Sequence, residues 1–272
     1  MRYKLIVSDF DGTLRHTDGH IPEENSRAVR DYIRAGGKFV LCTGRMPSSI
    51  VPRARELGLT GPVVSYQGAM ITDIGTGKIY RNEVLPNADA QRICRHLQKN
   101  GLHIHVYDGD IFYLNTDDLF RVYYEEICGV TGILTSSDIA ATVREKGICP
   151  QKIVVMCAPS DRDAILKDLV SSYGDAYYIT SSTDTLVEVA AKGTNKGGAL
   201  RFLGEYYGID PAETIGIGDN YNDIPLIEAA GLGVAVGNAV QALKDRADFI
   251  TGNCDENGAG YVIRKFGLEE EI

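Results

Sequence analysis

The first apolar run of the chain, Leu5-Ile6-Val7, stops on two acids spaced two apart, Asp9 and Asp11, with Gly12-Thr13 behind them. Such a run reads as a buried strand, and a strand that breaks into a polar glycine loop opens a β-α-β unit. The unit repeats. Pro22-Glu23-Glu24 suits a helix first turn, where proline is tolerated and acids favour the dipole. That helix carries Ala28, Val29, Tyr32 and Ile33 and stops at Gly36-Gly37. A strand over 38–42, a helix from Pro47 to Leu57 and a strand over 62–65 follow. The alternation predicts a parallel sheet with right-handed crossovers.

The pattern then breaks. Segments 69–73 and 78–83 flank Gly75-Thr76-Gly77 as a hairpin. From Pro86 the texture becomes α+β: a helix over 88–99, strands 102–107 and 111–114 joined by Asp108-Gly109-Asp110, a helix over 118–128. A strand over 152–157, a helix over 161–173 and strands 176–180 and 185–190 complete the block. Alternation resumes with a helix from Lys196 to Tyr207, strands 214–217 and 232–236, a helix over 222–229, a short helix over 240–244, a strand at 249–250 and a helix within 256–266. With 272 residues, two domains are expected. The reading is one α/β domain, residues 1–85 plus 190–272, split by an α+β domain over 86–189.

Ligands of open α/β sheets gather at the carboxyl ends of the strands, and four such ends carry polar loops. Side chains two apart in an extended chain share a side, so Asp9 and Asp11 emerge together, and a cation between them relieves their repulsion. Taken alone, Asp-Gly-Thr is also a common turn. Thr43-Gly44 offers a hydroxyl and an unhindered N–H, both donors to a phosphate oxygen, or else a plain strand-to-helix turn. Lys196, between Gly193 and Gly197, opposes the dipole of the helix it starts, which asks for a carboxylate or phosphate partner. In Gly218-Asp219-Asn220-Tyr221-Asn222-Asp223 the acids serve as helix caps or as a hard-cation site.

The charge balance narrows the partners. A net charge of −9 argues against nucleic acid or an anionic membrane. A small anionic substrate stays open, because a bound divalent cation reverses the local field. No GxGxxG follows the first strand, which argues against dinucleotide binding. The six cysteines are scattered without a CxxC pair, so buried free thiols and a reducing cytoplasm are expected. The chain enters its first strand with no signal-peptide core and carries no run resembling a membrane span. His103 and His105 share a strand face but lack a third ligand, and read as packed or solvated side chains rather than a metal pair.

In this order, DFDGT, TGR, a glycine-flanked lysine and GDxxND, the chain resembles the haloacid dehalogenase (HAD) superfamily, and within it the Cof-type phosphatases. These carry a large α/β cap inserted between the second and third motifs, where the insertion lies here. The resemblance implies a Rossmann-like parallel-sheet core domain with an inserted α+β cap domain. It implies a Mg²⁺-dependent phosphatase acting on small phosphorylated metabolites, sugar phosphates or a flavin-type phosphate, through an aspartyl-phosphate. Asp9 would be the nucleophile and Asp11 the acid and base. Mg²⁺ would be held by Asp9, the Asp11 backbone carbonyl and Asp219. Thr43, Gly44, Lys196 and Asn222 would hold the phosphoryl group, with Asp223 orienting Lys196. In the cap, Tyr107, Asp108, Tyr113 and Ser181-Ser182 would reach the substrate. Having Asp11 separates the chain from similar transport ATPases, which place Thr there, and from dehalogenases, which lack the second acid. A phosphomutase or a non-catalytic phosphate-binding regulatory protein on the same core are the alternatives. One departure is Gln67-Gly68-Ala69, where relatives often carry Asn-Gly-Ala, and Gln67 is left outside the expected site.

Overall fold

The structure is a computed structural model and describes residues 1–135 and 138–271. The chain first lays down β1 (Leu5–Ser8), α1 (Glu23–Arg34), β2 (Lys38–Leu41), α2 (Pro47–Glu56), β3 (Pro62–Ser65), β4 (Met70–Asp73) and β5 (Ile79–Asn82). Then come α3 (Asn87–Lys99), β6 (His103–Asp108), β7 (Ile111–Leu114), α4 (Leu119–Cys128), β8 (Ile133–Leu134) and α5 (Ile139–Glu145). β9 (Lys152–Met156), α6 (Arg162–Tyr173), β10 (Tyr177–Thr183) and β11 (Leu186–Ala191) follow. The return leg is α7 (Lys196–Tyr207), β12 (Thr214–Gly218), α8 (Ile224–Ala229), β13 (Leu232–Ala235), α9 (Gln241–Lys244), β14 (Phe249–Ile250) and α10 (Gly258–Val262). Two compact units result: Met1–Gly44, Val51–Tyr80 and Asn195–Ile272 form one, Arg45–Ile50 and Arg81–Thr194 the other. The divisions lie at 80/81 and 194/195 rather than the expected 85/86 and 189/190. Residues 81–85 are tied into the second unit by Leu85 N donating to Pro150 O (2.8 Å) and by Gln151 Nε2 donating to Asn82 Oδ1 (3.0 Å). A cut at 189/190 would also pass through β11.

The first unit is a parallel sheet in the order β14-β13-β12-β1-β2. β1 lies inside it, hydrogen-bonded to β12 and β2 and buried at all four residues. Leu5 and Val7 pack with Val40, Ala199, Leu200, Leu203 and Leu226, so β1, β2, α7 and α8 share one core. Truncating Leu5 there would cost about 2–5 kcal/mol. α1 forms where expected, with Glu23 and Glu24 in its first turn and Arg34 in its last. β3 departs from the expected parallel sheet. It touches β2 through one parallel bridge, Cys42 to Val64, and otherwise pairs antiparallel with β4. The left-handed turn at Tyr66 and Gln67 (φ 54° and 58°) reverses the chain after β3 and sets that pairing. The carboxyl ends of β1, β2 and β12 place Asp9, Thr43-Gly44 and Asp219 just beyond the sheet.

The second unit is a mixed sheet, β10-β11-β9-β6-β7-β8, antiparallel except for β7 with β8. One face, carrying Ile104, Val106, Ile153, Val155, Val187 and Val189, packs on α3, α5 and α6 through Ile93, Leu97, Val143 and Leu169. Alternation sends His103, His105, Tyr107, Lys152 and Glu188 to the opposite face. His103 and His105 pack as expected: their Nε2 atoms are 2.7 Å apart, and His103 Nδ1 is 3.0 Å from Asp118. The sequence pattern marks no element between 128 and 152, yet β8 and α5 lie there. β8 is two residues long and exposed, and α5 buries only Ile139, Ala140 and Val143, too little apolar periodicity to read. Five cysteines are buried and Cys149 is exposed. Among the described residues, no helix is long and apolar enough to cross a membrane.

Candidate active site

Residues far apart in sequence meet at the sheet edge. The Lys196 ammonium is fully buried and holds Asp9 Oδ1 at 2.7 Å and Asp223 Oδ1 at 2.6 Å. Asn195 makes this possible by capping α7 through Gly198 N (2.8 Å), which fixes where the helix begins. Asp223 accepts twice more through Oδ2, from the backbone N–H of Asp219 (3.0 Å) and of Asn220 (3.1 Å). These bonds curl 219–223 into a tight turn that brings Asp219 back toward β1. Asp219 Oδ1 accepts from Thr13 Oγ1 at 2.8 Å, so the first and last loops are joined directly. Gly12 permits the approach: its φ is +73°, and a Cβ there would lie 2.8 Å from Asp219 Oδ2.

The cluster is electrostatically unbalanced. Among the described residues, one oxygen from each of Asp9, Asp219 and Asp223 lies within 4.8 Å of the others. Burial, then the Asp223 carboxylate, push the Asp9 pKa well above the usual carboxylate range, against the pull of Lys196. Burial and Asp223 push Asp219 up to about 7. Burial alone would lower the Lys196 pKa, but Asp223 and Asp9 outweigh it and raise it. Three carboxylates thus share one ammonium.

The expected phosphate-side residues gather beside the cluster. Cys42 follows β2 within the electrostatic reach of Lys196, Asp9 and Asp223, and Thr43 comes next, buried. Thr43 O accepts from Gln67 N at 2.9 Å. A Cβ on Gly44 would lie 2.5 Å from Gln67 Nε2, and Gln67 Oε1 accepts from Asn222 Nδ2 at 3.0 Å. Gln67, left out of the expected site, is therefore the strut between the second and fourth motifs. Its signal was the change from Asn-Gly-Ala to Gln-Gly-Ala. The buried Oδ1 of Asn222 has no hydrogen-bond partner.

Asp11 lies in the loop that follows β1. β1 ends at Ser8, and the N–H groups of Thr13, Leu14 and Arg15 all turn back to Phe10 O, so strand alternation no longer applies beyond Asp9. The Asp11 carboxylate accepts from Arg15 Nη1 at 2.7 Å, whereas Asp9 faces Lys196. The third carboxylate of the cluster is Asp223.

A family model described as haloacid dehalogenase-like hydrolase matches residues 6–263. The chain belongs to this family. This HAD-like hydrolase is 29% identical over 282 residues to the phosphatase YwpJ of Bacillus subtilis strain 168, covering 96% of the chain and 99% of the relative. It is 29% identical over 266 residues to the 5-amino-6-(5-phospho-D-ribitylamino)uracil phosphatase YcsE of the same organism, covering 97% and 96%. A solved structure of a haloacid dehalogenase-like hydrolase from B. subtilis aligns with a TM-score of 0.87 at 25% identity, covering 97% of this chain and 99% of that one. The family match and these full-length relatives make the protein an HAD-type phosphatase with a Cof-type cap.

Proposed function

We propose that the protein is a Mg²⁺-dependent phosphomonoesterase that hydrolyses small phosphorylated metabolites through an aspartyl-phosphate on Asp9. The observation that carries this is the cluster itself: Asp9, Asp219 and Asp223 converge within 4.8 Å around a single buried lysine. A hard divalent cation fits that donor set, because carboxylate oxygens in excess of positive charge suit it and their raised pKa values mark the repulsion it would relieve. Asp223 is taken up by Lys196 and two backbone N–H groups, so Asp9, Asp219 and the Asp11 backbone carbonyl would hold the ion. When bound, Mg²⁺ supplies charge neutralisation to the transferring phosphoryl oxygens.

The chain's own residues account for the rest. Lys196 pulls Asp9 toward its anionic form, a bound cation would add to that pull against burial and Asp223, and the anionic carboxylate oxygen attacks phosphorus. As that bond forms, the bond to the ester oxygen breaks, and Asp11 protonates the departing alcohol. Asp11 then takes a proton from water attacking the same phosphorus, the Asp9–phosphorus bond breaks, and inorganic phosphate leaves. Thr43, the Gly44 N–H, Lys196 and Asn222 would hold the equatorial oxygens. Asp223 orients Lys196. The relatives named as 5-amino-6-(5-phospho-D-ribitylamino)uracil phosphatases support substrates with a phosphate on a sugar or sugar alcohol. Cysteines scattered without a CxxC pair suit a cytoplasmic setting.

The deciding experiment is phosphate release from a panel of phosphorylated sugars, sugar alcohols and flavin-type phosphates, with Mg²⁺ and with a chelator. Turnover that requires Mg²⁺ is expected. Dependence on a sugar bisphosphate activator would point to a phosphomutase instead. Tight phosphate binding without turnover would mean a regulatory binder.

A further inference from the structure

We infer that Arg15 is a positioning residue for the reaction, holding the Asp11 carboxylate in the orientation in which it exchanges protons with the ester oxygen and with water. This rests on the acid–base role proposed for Asp11. The guanidinium is held at two points: Nη1 donates to Asp11 Oδ1 at 2.7 Å, and Nε donates to Gly19 O at 2.7 Å. The pair is partly buried, Arg15 at 23% and Asp11 at 40% side-chain exposure. The backbone holds both ends as well, because Arg15 N donates to Phe10 O at 2.9 Å and Asp11 and Arg15 form an isolated bridge.

The following loop is shaped around this side chain. His16 N donates to His20 O (2.9 Å) and Gly19 N to His16 O (3.1 Å), closing a ring that presents the Gly19 carbonyl to the guanidinium. Gly19 has φ +98°, and a Cβ there would lie 2.5 Å from Arg15 Nη2, so a larger residue would push the guanidinium away. An arginine tethered at Nε and Nη1 has little rotational freedom left, and its planar fork fixes the plane of the carboxylate it meets. A lysine would supply charge without that fork.

The test uses the full chain with Mg²⁺ and two probes, p-nitrophenyl phosphate with its good leaving group and phenyl phosphate with a poorer one. General-acid help matters most when the leaving group is poor. Arg15→Ala is therefore expected to lower kcat/KM on phenyl phosphate about tenfold and on p-nitrophenyl phosphate by less than about threefold. Arg15→Lys should fall between Arg15→Ala and the parent, and inhibition by inorganic phosphate should stay unchanged. Adding Arg15→Ala to Asp11→Asn should cost nothing more, as two residues acting through one group require. Gly19→Ala displaces the guanidinium without removing it, should show the same leaving-group selectivity, and carries the test if Arg15→Ala fails to fold. Equal losses on both probes, weaker phosphate inhibition, or a further loss in the double variant would overturn the inference. If Asp11→Asn slows both probes while Arg15→Ala matches the parent, the Asp11 role stands and this inference falls. If Asp11→Asn retains full kcat/KM, the acid–base reading fails and takes this one with it.

Discussion

Both units bury charge, and they treat it in opposite ways. In the second unit, Lys152 Nζ meets Glu188 Oε2 at 2.7 Å, with the side chains 4% and 2% exposed: one ammonium to one carboxylate across neighbouring strands. In the first unit, Lys196 faces Asp9 and Asp223 with Asp219 alongside. The first arrangement is neutral as it stands. The second leaves two carboxylates displaced upward in pKa, a repulsion that a cation would relieve. Balance within the chain marks a structural pair; imbalance marks a site built for a ligand.

The largest effect tests the unbalanced side. Asp9→Asn keeps the shape, removes one of the crowded charges, and should lower phosphate release from p-nitrophenyl phosphate by at least about 10³-fold without loss of thermal stability. Retained turnover would refute the nucleophile assignment.

The balanced side should respond in stability. Glu188→Gln takes the carboxylate away from a buried ammonium, and urea unfolding should show a loss of about 3–5 kcal/mol. A Lys152→Met, Glu188→Leu double variant should recover most of it. A fall of under about 1 kcal/mol for the single change would erase the contrast between the units.

Metal is expected to act on only one of the two clusters. Mg²⁺ at a hundredfold excess over its Kd should stabilise the protein by about 2.7 kcal/mol, read as a rise in Tm. Asp219→Asn should remove most of that rise, and Glu188→Gln should leave it intact.

The last effect is in pH. The Asp219 pKa is raised from 3.8 to about 7 in the folded protein, so between these values the folded state binds more protons than the unfolded one. Stability in chelator should therefore fall as pH rises through that window. Carboxylates held low, such as Asp73 through its hydrogen bonds to Thr76, act in the opposite sense but below 3.8, outside this window. Asp219→Asn measured in the same buffers should lack this component. An identical pH profile for parent and variant would show that Asp219 carries no such strain.

Much of the site was legible because its chemistry sits on regular elements. Asp9, Thr43, Lys196 and Asp219 each border a strand or helix whose pattern is plain, and parallel strands deliver their carboxyl ends to one edge. What escaped lies where the chain leaves regular structure. Gln67 sits in a left-handed turn, and its bond to Asn222 spans 155 residues. The pairing of Asp11 with Arg15 arises because the strand ends at Ser8 and the loop refolds on Phe10 O. α5 and β8 bury too few residues to leave a periodic trace.

By itself the sequence determined the order of strands and helices apart from β8 and α5, the presence of an inserted domain and the residue types at each strand end. Those follow from local periodicity and from which groups carry charge. Only the tertiary structure decided that β3 leaves the parallel sheet, that the carboxylate beside Asp9 and Asp219 is Asp223, and that Asp11 turns to Arg15. These depend on distances between segments remote in the chain and on backbone turns, and hydrogen bonding across such distances has no signature in local composition.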